Sequence, residues 1–475
     1  EELDFDSEEF LRSGQRVLGW IAHYLENARD FPVLSTLDPG NVRDSIPDHA
    51  PDQGEEFAAI IDDFDRLILP GITHWNHPRF FSYFPSSASE AGILGEFLCA
   101  ALNVNAMKWQ TSPAATELES AVAEWMSRLL GLGRLWGIIY DTASISTLHA
   151  MAAAREAVPG LEVRTKGLQG GSSPLRLYAS EQSHTSVDKA ALTLGLGLES
   201  VRKIPVDGRF RMRADALREA ILKDRRAGEI PFFVTATVGT TSTASVDSIA
   251  EIAAVSKPFN LWLHVDAAYA GVAAVLPEFA WIFDGSESAD SIVVNPHKWL
   301  FTPMDISLLF CRRPEILRRA FALVPDYLSA SREEETADLM DYGLQLGRRF
   351  RALKLWMVLR RFGKEGLQRK IGSHIQWAKE FADQVDRSPN FELMAPPLFS
   401  TVCFRCNPGG QGGASLDELN RELLERTNAS GKLFISSTRL NERLVLRLSI
   451  GNVRTRKEDV ESAWEWIRRT AADLR

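Results

Sequence analysis

The chain has 475 residues, with 54 Lys and Arg against 63 Asp and Glu and a formal net charge of −9. An apolar share of 45% and a charged share of 25% belong to an ordinary globular protein long enough to bury a sizeable core. The mild acidity argues against nucleic acid as a general partner, which needs a basic footprint.

The longest apolar stretch, 261–283, contains His264, Asp266, Pro277 and Glu278, so it does not read as a membrane span. The four cysteines are too few for a disulfide scaffold, and a reducing, cytoplasmic setting is expected. Cys403-Phe-Arg-Cys406 has redox or metal spacing, but it lies in an alternating run without a second pair. A structural role is therefore expected there, and no metal site.

Two amphipathic helices open the chain. Phe10, Val17, Leu18, Ile21, Tyr24 and Leu25 form one stripe, and Phe57, Ile60, Ile61, Phe64 and Leu67 another, ended by Pro70-Gly71. They cannot make a core alone, so residues 1–80 are expected to pack on the body or on a second subunit. From 81 to 360, short apolar runs alternate with helical patterns, which predicts an α/β sheet. Strands are predicted at 137–140, 175–179, 231–238, 261–265, 291–294 and 306–311. Ser112-Pro113 is predicted to open a helix with Ser112 as its cap, and Gly131 and Gly133 to close it. The remainder, 361–475, reads as a smaller α+β unit with helices at 366–385 and 457–474 and strands at 398–406 and 443–448.

The chemistry concentrates where buried strands end. Ser291-Ile-Val-Val294 leads straight into Asn295-Pro-His297-Lys298-Trp299. A lysine in that position is desolvated, which favours the neutral amine that a Schiff-base lysine requires. The alternative is a strand-end lysine reaching out to solvent. A second buried run, Leu261-Trp-Leu-His-Val265, ends in Asp266, followed by the small Ala267 and Ala268. A carboxylate there needs a cation or donors. A protonated pyridine nitrogen is one such partner, and a structural salt bridge is another. Lysine and acid together are what pyridoxal phosphate needs. Residues 137–157 read as strand, turn and helix, with Thr142, Ala143 and Ser144 placed to bind a phosphate dianion or merely to cap the helix. Asp141 would repel such a dianion and is expected to turn away.

These segments resemble the pyridoxal-phosphate-dependent group II amino-acid decarboxylases, most of all the aromatic-L-amino-acid decarboxylases. The resemblance spans almost the whole chain. It rests on His74-Trp75 with His77-Pro78, on Tyr83-Phe84-Pro85, and on Ser112-Pro113-Ala114 through Glu119. It continues in His264-Val-Asp266-Ala-Ala268-Tyr269, Asn295-Pro-His297-Lys298-Trp299 and Gly347-Arg-Arg-Phe-Arg351. It implies the aspartate-aminotransferase-like fold (fold type I), with a mostly parallel seven-stranded sheet, an N-terminal helical arm and a small C-terminal domain.

By the same resemblance Lys298 carries the cofactor and Asp266 holds its ring nitrogen. His184 stacks on the ring, and Thr241 is a further contact. Thr142, Ala143, Ser144 and Asn295 meet the phosphate. Ala268 and His297, inside the matched motifs, join the cofactor residues. Trp75, Tyr83, Phe84, Pro85 and Ser86 form the substrate wall, with Asn105 and Met107 supplied by a second subunit of a homodimer. Tyr327 sits on a mobile catalytic loop, and the polar run 329–336 suits such a loop.

The activity implied is decarboxylation of an aromatic L-amino acid to the amine. Aldehyde synthases of the same family are the near rival; Phe at the Tyr327 position or Asn at the His184 position would favour them. The basic run Gly347–Arg361 raises a nucleic-acid or membrane-surface rival, although a helix covering an apolar body explains it equally well. Two departures stand out. Asp141-Thr-Ala-Ser-Ile145 replaces the more usual Gly-Ser-Ala-Ser-Glu, and Asn105 and Met107 replace an apolar residue and Phe.

Overall fold

The computed structural model describes residues 4–168, 173–323, 338–409 and 414–474. Tyr327 and the 329–336 run lie outside the described residues.

A seven-stranded sheet forms the centre. Its strands are β1 (Trp136–Tyr140), β2 (Leu175–Ser180), β3 (Val201–Ile204), β4 (Ile230–Thr237), β5 (Trp262–Asp266), β6 (Ser291–Val294) and β7 (Ser307–Cys311). Their order is β1-β7-β6-β5-β4-β2-β3, and β7 alone runs against the rest. Helices cover both faces, so the inner strands are continuous apolar runs such as Phe232-Phe-Val-Thr-Ala236. Strand β3 was not anticipated. It is a four-residue edge strand whose middle, Arg202-Lys203, reads as polar surface.

A second sheet carries β8 (Phe391–Leu393), β9 (Thr401–Cys406), β10 (Ser436–Leu440) and β11 (Arg443–Ser449), ordered β10-β11-β9-β8 and antiparallel throughout. Its core gathers Phe381, Phe391, Phe404 and Trp464. Cys403 and Cys406 are buried on β9, and none of the four cysteines forms a disulfide.

One long helix, Arg351–Asp386, serves both sheets. It bends at Gly363, whose φ of 60° and ψ of 174° leave helical geometry. Its first part crosses the helix Glu90–Leu102 closely, because a Cβ on Gly95 would stand 2.7 Å from Lys354 Cα. Two ion pairs are buried, one at this crossing and one just before the long helix, against the helix Pro113–Leu129. Lys354, fully buried, meets Glu96, and Arg348 donates to Glu119 at 2.6 Å. The basic run 347–361 therefore spends two of its cations inside the protein.

Ser112 departs from expectation. Its hydroxyl donates back to Lys108 O at 3.1 Å and does not cap the helix Pro113–Leu129; Pro113 starts that helix, and Gly131 and Gly133 follow it with positive φ. The N-terminal helix Ser7–Glu26 packs edge-on through Trp20 against Phe64, yet it buries no residue within the chain. Among the described residues no helix is long and apolar enough to cross a membrane.

Candidate active site

The carboxyl ends of β4, β5 and β6 meet at one place, where α/β sheets bind ligands. β5 delivers Asp266, and β6 leads through Asn295 into the single helical turn Pro296–Trp299 that carries Lys298. The helix Ala143–Glu156 starts beside them. A cavity of about 190 Å³ lies here, with Asp266 and Ala268, the helix start at Thr142, Ala143 and Ser144, and Lys298 in its wall. His184, Thr241, Asn295 and His297 also line it. Every residue expected to contact the cofactor thus lines one small space.

Electrostatics divide the cavity. Asp266 is 6% exposed and accepts from Ala268 N at 3.1 Å, leaving its second oxygen for another donor. Burial lowers the Lys298 ammonium pKa from its ordinary value; Asp266 opposes the shift and Arg447 adds to it. Lys298 Nζ lies 5.3 Å from the Phe84 ring centroid. Burial likewise lowers His184. Ser186 N donates to His184 Nδ1 at 3.1 Å, so the neutral ring carries its proton on Nε2.

Asn295 provides a test of fit. Ile306 N donates to His297 Nδ1 at 2.9 Å, and burial holds His297 down at about 3, so its proton sits on Nε2. Nε2–H must donate, yet the atom placed 3.3 Å away is Asn295 Nδ2, while Asn295 Oδ1 is buried without a partner. Exchanging the two amide atoms satisfies the histidine and turns an NH2 toward the cavity. Thr237 also lines the cavity, and its hydroxyl is buried without a partner among the described residues. With the helix start, these donors and one acid match an anion at one end and a protonated ring nitrogen at the other. They fit pyridoxal phosphate.

Asp141 does not enter this cavity. Its Oδ1 accepts from Thr142 N at 2.5 Å and from Thr142 Oγ1 at 3.1 Å, and its Oδ2 accepts from Gln345 Nε2 at 3.2 Å.

A larger cavity of about 570 Å³ adjoins the first and shares Phe84, His184, Thr241, His297 and Lys298 with it. Trp75, Tyr83 and Ser86 give it an aromatic wall, and Ser436, Ser437 and Thr438 of β10 a hydroxyl-rich one. Pro85 is buried behind that wall, near Gly451. Asn105 and Met107 line neither cavity in the single chain. Asn105 Oδ1 accepts from Arg348 N at 3.0 Å, and its amide approaches Met107 Sδ at 3.6 Å.

Arg447 was not anticipated. It is buried on β11, donates through Nε to Ser242 O at 3.1 Å and through Nη1 to Tyr83 O, and lies 4.5 Å over Phe84. Its Nη2 is buried with no partner. The available signal was a lone arginine in the apolar run Leu444-Val-Leu-Arg-Leu448, the same anomaly that exposed Asp266. Behind the site, Phe84 stacks on Tyr269 at 3.7 Å, Tyr269 on Trp299 at 5.0 Å, and Trp299 Nε1 donates to His374 Nδ1 at 3.0 Å.

Known proteins resemble this chain in sequence and in fold. The pyridoxal-dependent decarboxylase conserved domain matches residues 39–407. Phenylacetaldehyde synthase of Arabidopsis thaliana is 42% identical, the match covering 99% of this chain and 97% of the relative. Aromatic-L-amino-acid decarboxylase of Bos taurus is 40% identical over the same shares of the two chains. The crystal structure of Oryza sativa TDC with PLP and tryptamine superposes with a TM-score of 0.94 at 36% identity, covering 100% of this chain and 99% of that one. With the sheet order, the paired cavities and these likenesses in agreement, the chain belongs to the pyridoxal-dependent decarboxylase family.

Proposed function

We propose that the protein converts an aromatic L-amino acid into the corresponding arylalkylamine and CO2. One observation carries the reading: Lys298 stands in the shared wall between a small cavity ended by Asp266 and a larger, aromatic-walled one that contains Arg447. When bound, pyridoxal phosphate supplies an aldehyde that condenses with amines and a ring that takes up the electron pair left by departing CO2. The relatives named as aromatic amino-acid decarboxylases support the substrate class.

The chain's own residues do the rest. Burial keeps more of Lys298 as free amine than a surface lysine would hold. The free oxygen of Asp266 would accept the ring N–H and sustain its charge. Asn295, Ala143 and Ser144 would receive the phosphate, beside Thr142, whose amide and hydroxyl are given to Asp141, and His184 would cover the ring. Arg447 Nη2 attracts the substrate carboxylate, while Trp75, Tyr83, Phe84 and Ser86 hold the side chain. Tyr327, outside the described residues, is retained as the donor that returns a proton to the α-carbon.

Two substitutions separate these roles. Asp266→Asn keeps the volume and loses the charge, and is expected to lower kcat by about 10²–10³. Arg447→Met is expected to raise KM by about 10- to 100-fold with a smaller change in kcat, as loss of a charged hydrogen bond predicts. Steady-state kinetics on tyrosine, dihydroxyphenylalanine, tryptophan and phenylalanine check both.

A second reading, aldehyde synthase, is favoured by the phenylacetaldehyde synthase likeness. His184 and Tyr327 weigh against it. Measuring amine against aldehyde, ammonia and peroxide decides: predominant aldehyde defeats the first reading.

Residues 1–80, 81–360 and 361–475 are taken as arm, cofactor domain and small domain, in a cytoplasmic homodimer. The N-terminal helix with no buried residue, and the placement of Asn105 and Met107 away from the chain's own cavities, support the dimer. An active monomer in sedimentation would refute it.

A further inference from the structure

We infer that Asp141 competes with the cofactor's phosphate and holds the affinity for pyridoxal phosphate below what the rest of the site would give. The inference rests on the function proposed above.

The start of the helix Ala143–Glu156 lies in the wall of the small cavity. Its first intrahelical bond, Ser146 N to Thr142 O at 3.0 Å, leaves the amides of Thr142, Ala143 and Ser144 for other acceptors. Asp141 takes the first of them, and its Oδ1 also receives the Thr142 hydroxyl. At this helix start a phosphate seated in the cavity is left with the amides of Ala143 and Ser144 and the Ser144 hydroxyl, beside the Asn295 amide.

Charge acts in the same direction. Asp141 is one residue from the donors, and among the described residues no cation pairs with it; Gln345, its other partner, is neutral. The carboxylate is therefore an unneutralised negative charge beside the place of a dianion. The ordinary reading is that an acid here merely complements the helix dipole. That reading predicts no gain in phosphate affinity when the charge is removed. The competing one predicts a gain, and only for a ligand that carries the phosphate.

The full chain, freed of cofactor, is titrated spectroscopically with pyridoxal phosphate and with pyridoxal. Asp141→Asn preserves an oxygen for Thr142 N and removes the charge. It is expected to bind pyridoxal phosphate about three- to tenfold more tightly at low ionic strength, with the gain shrinking as salt is added. Pyridoxal, lacking the phosphate, is expected to bind both proteins equally. Asp141→Gly, which removes charge and acceptor together, is expected to gain at least as much. Equal pyridoxal phosphate affinities across the three proteins, or an equal gain for pyridoxal, would overturn the inference.

Borohydride reduction and peptide mapping of the same samples locate the attached ring. Attachment away from Lys298 defeats the proposed function. Attachment at Lys298 with unchanged affinities defeats only the role given to Asp141.

Discussion

Replacing Lys298 with alanine is expected to lower amine formation by at least about 10³-fold and to abolish borohydride trapping of the cofactor on this chain. The expectation follows from placement. Among the described residues Lys298 is the one lysine in the wall of either cavity, and Asp266 lines the same small space. The substitution removes an amine from a turn whose neighbours, His297 and Trp299, are held by their own hydrogen bonds to Ile306 and His374. The fold should survive it, so circular dichroism is expected to match the parent while turnover disappears. Substantial retained activity, or an adduct trapped at another lysine, would defeat the assignment.

Acid is expected to destabilise the protein steeply, beginning below pH 6.5. His77, His149 and His297 are buried, and burial pushes each to about 3; His264 is pushed to about 4. Unfolded, all four titrate near 6.5. Between those limits the unfolded chain takes up protons that the folded chain refuses. Stability is therefore complete above 6.5 and is lost as pH falls toward the folded values.

Each such histidine contributes up to about 1.4 kcal/mol per pH unit. Asp247 acts in the opposite sense. Burial raises it to about 6 from an ordinary 3.8, so between those values the folded state binds the extra proton and gains stability as pH falls. The net of these five groups is about three protons, or roughly 4 kcal/mol per pH unit near pH 5, and His374, which burial also holds well below its ordinary value, adds in the same sense. Two such units match the whole stability of a typical domain, about 5–15 kcal/mol. Circular dichroism and tryptophan fluorescence between pH 7.5 and 4 measure the slope. A structure unchanged down to pH 4 would contradict the buried neutral histidines.

The legible parts of this chain were those where one residue contradicts its surroundings or where a run has no polar break. Strands β4, β5 and β6 are apolar on both faces and were read nearly to their ends; β3, on the edge, carries charge and was missed. Lys298 and Asp266 were readable because each ends a buried strand. Arg447 broke an apolar run in the same way, but no partner in the sequence gave it a role. Its significance comes from Tyr83 and Ser242, which are distant in sequence. The same limit applies to the basic run at 347–361. Arg348 finds Glu119 across 229 positions and Lys354 finds Glu96 across 258, so local patterning could not show that these cations are buried. Ser112 failed for a different reason: its hydroxyl found a carbonyl upstream before it could cap the helix.

The shared wall between the two cavities has a consequence for how such a protein can diversify. Phe84, His184, Thr241, His297 and Lys298 border both spaces, so any change there disturbs cofactor seating and substrate room together. Trp75, Tyr83, Met304 and the hydroxyl run Ser436–Thr438 border only the outer space. They come from three separate parts of the chain and carry none of the cofactor's contacts. New substrates can be accommodated by mutation at these outer positions while the inherited chemistry stays intact.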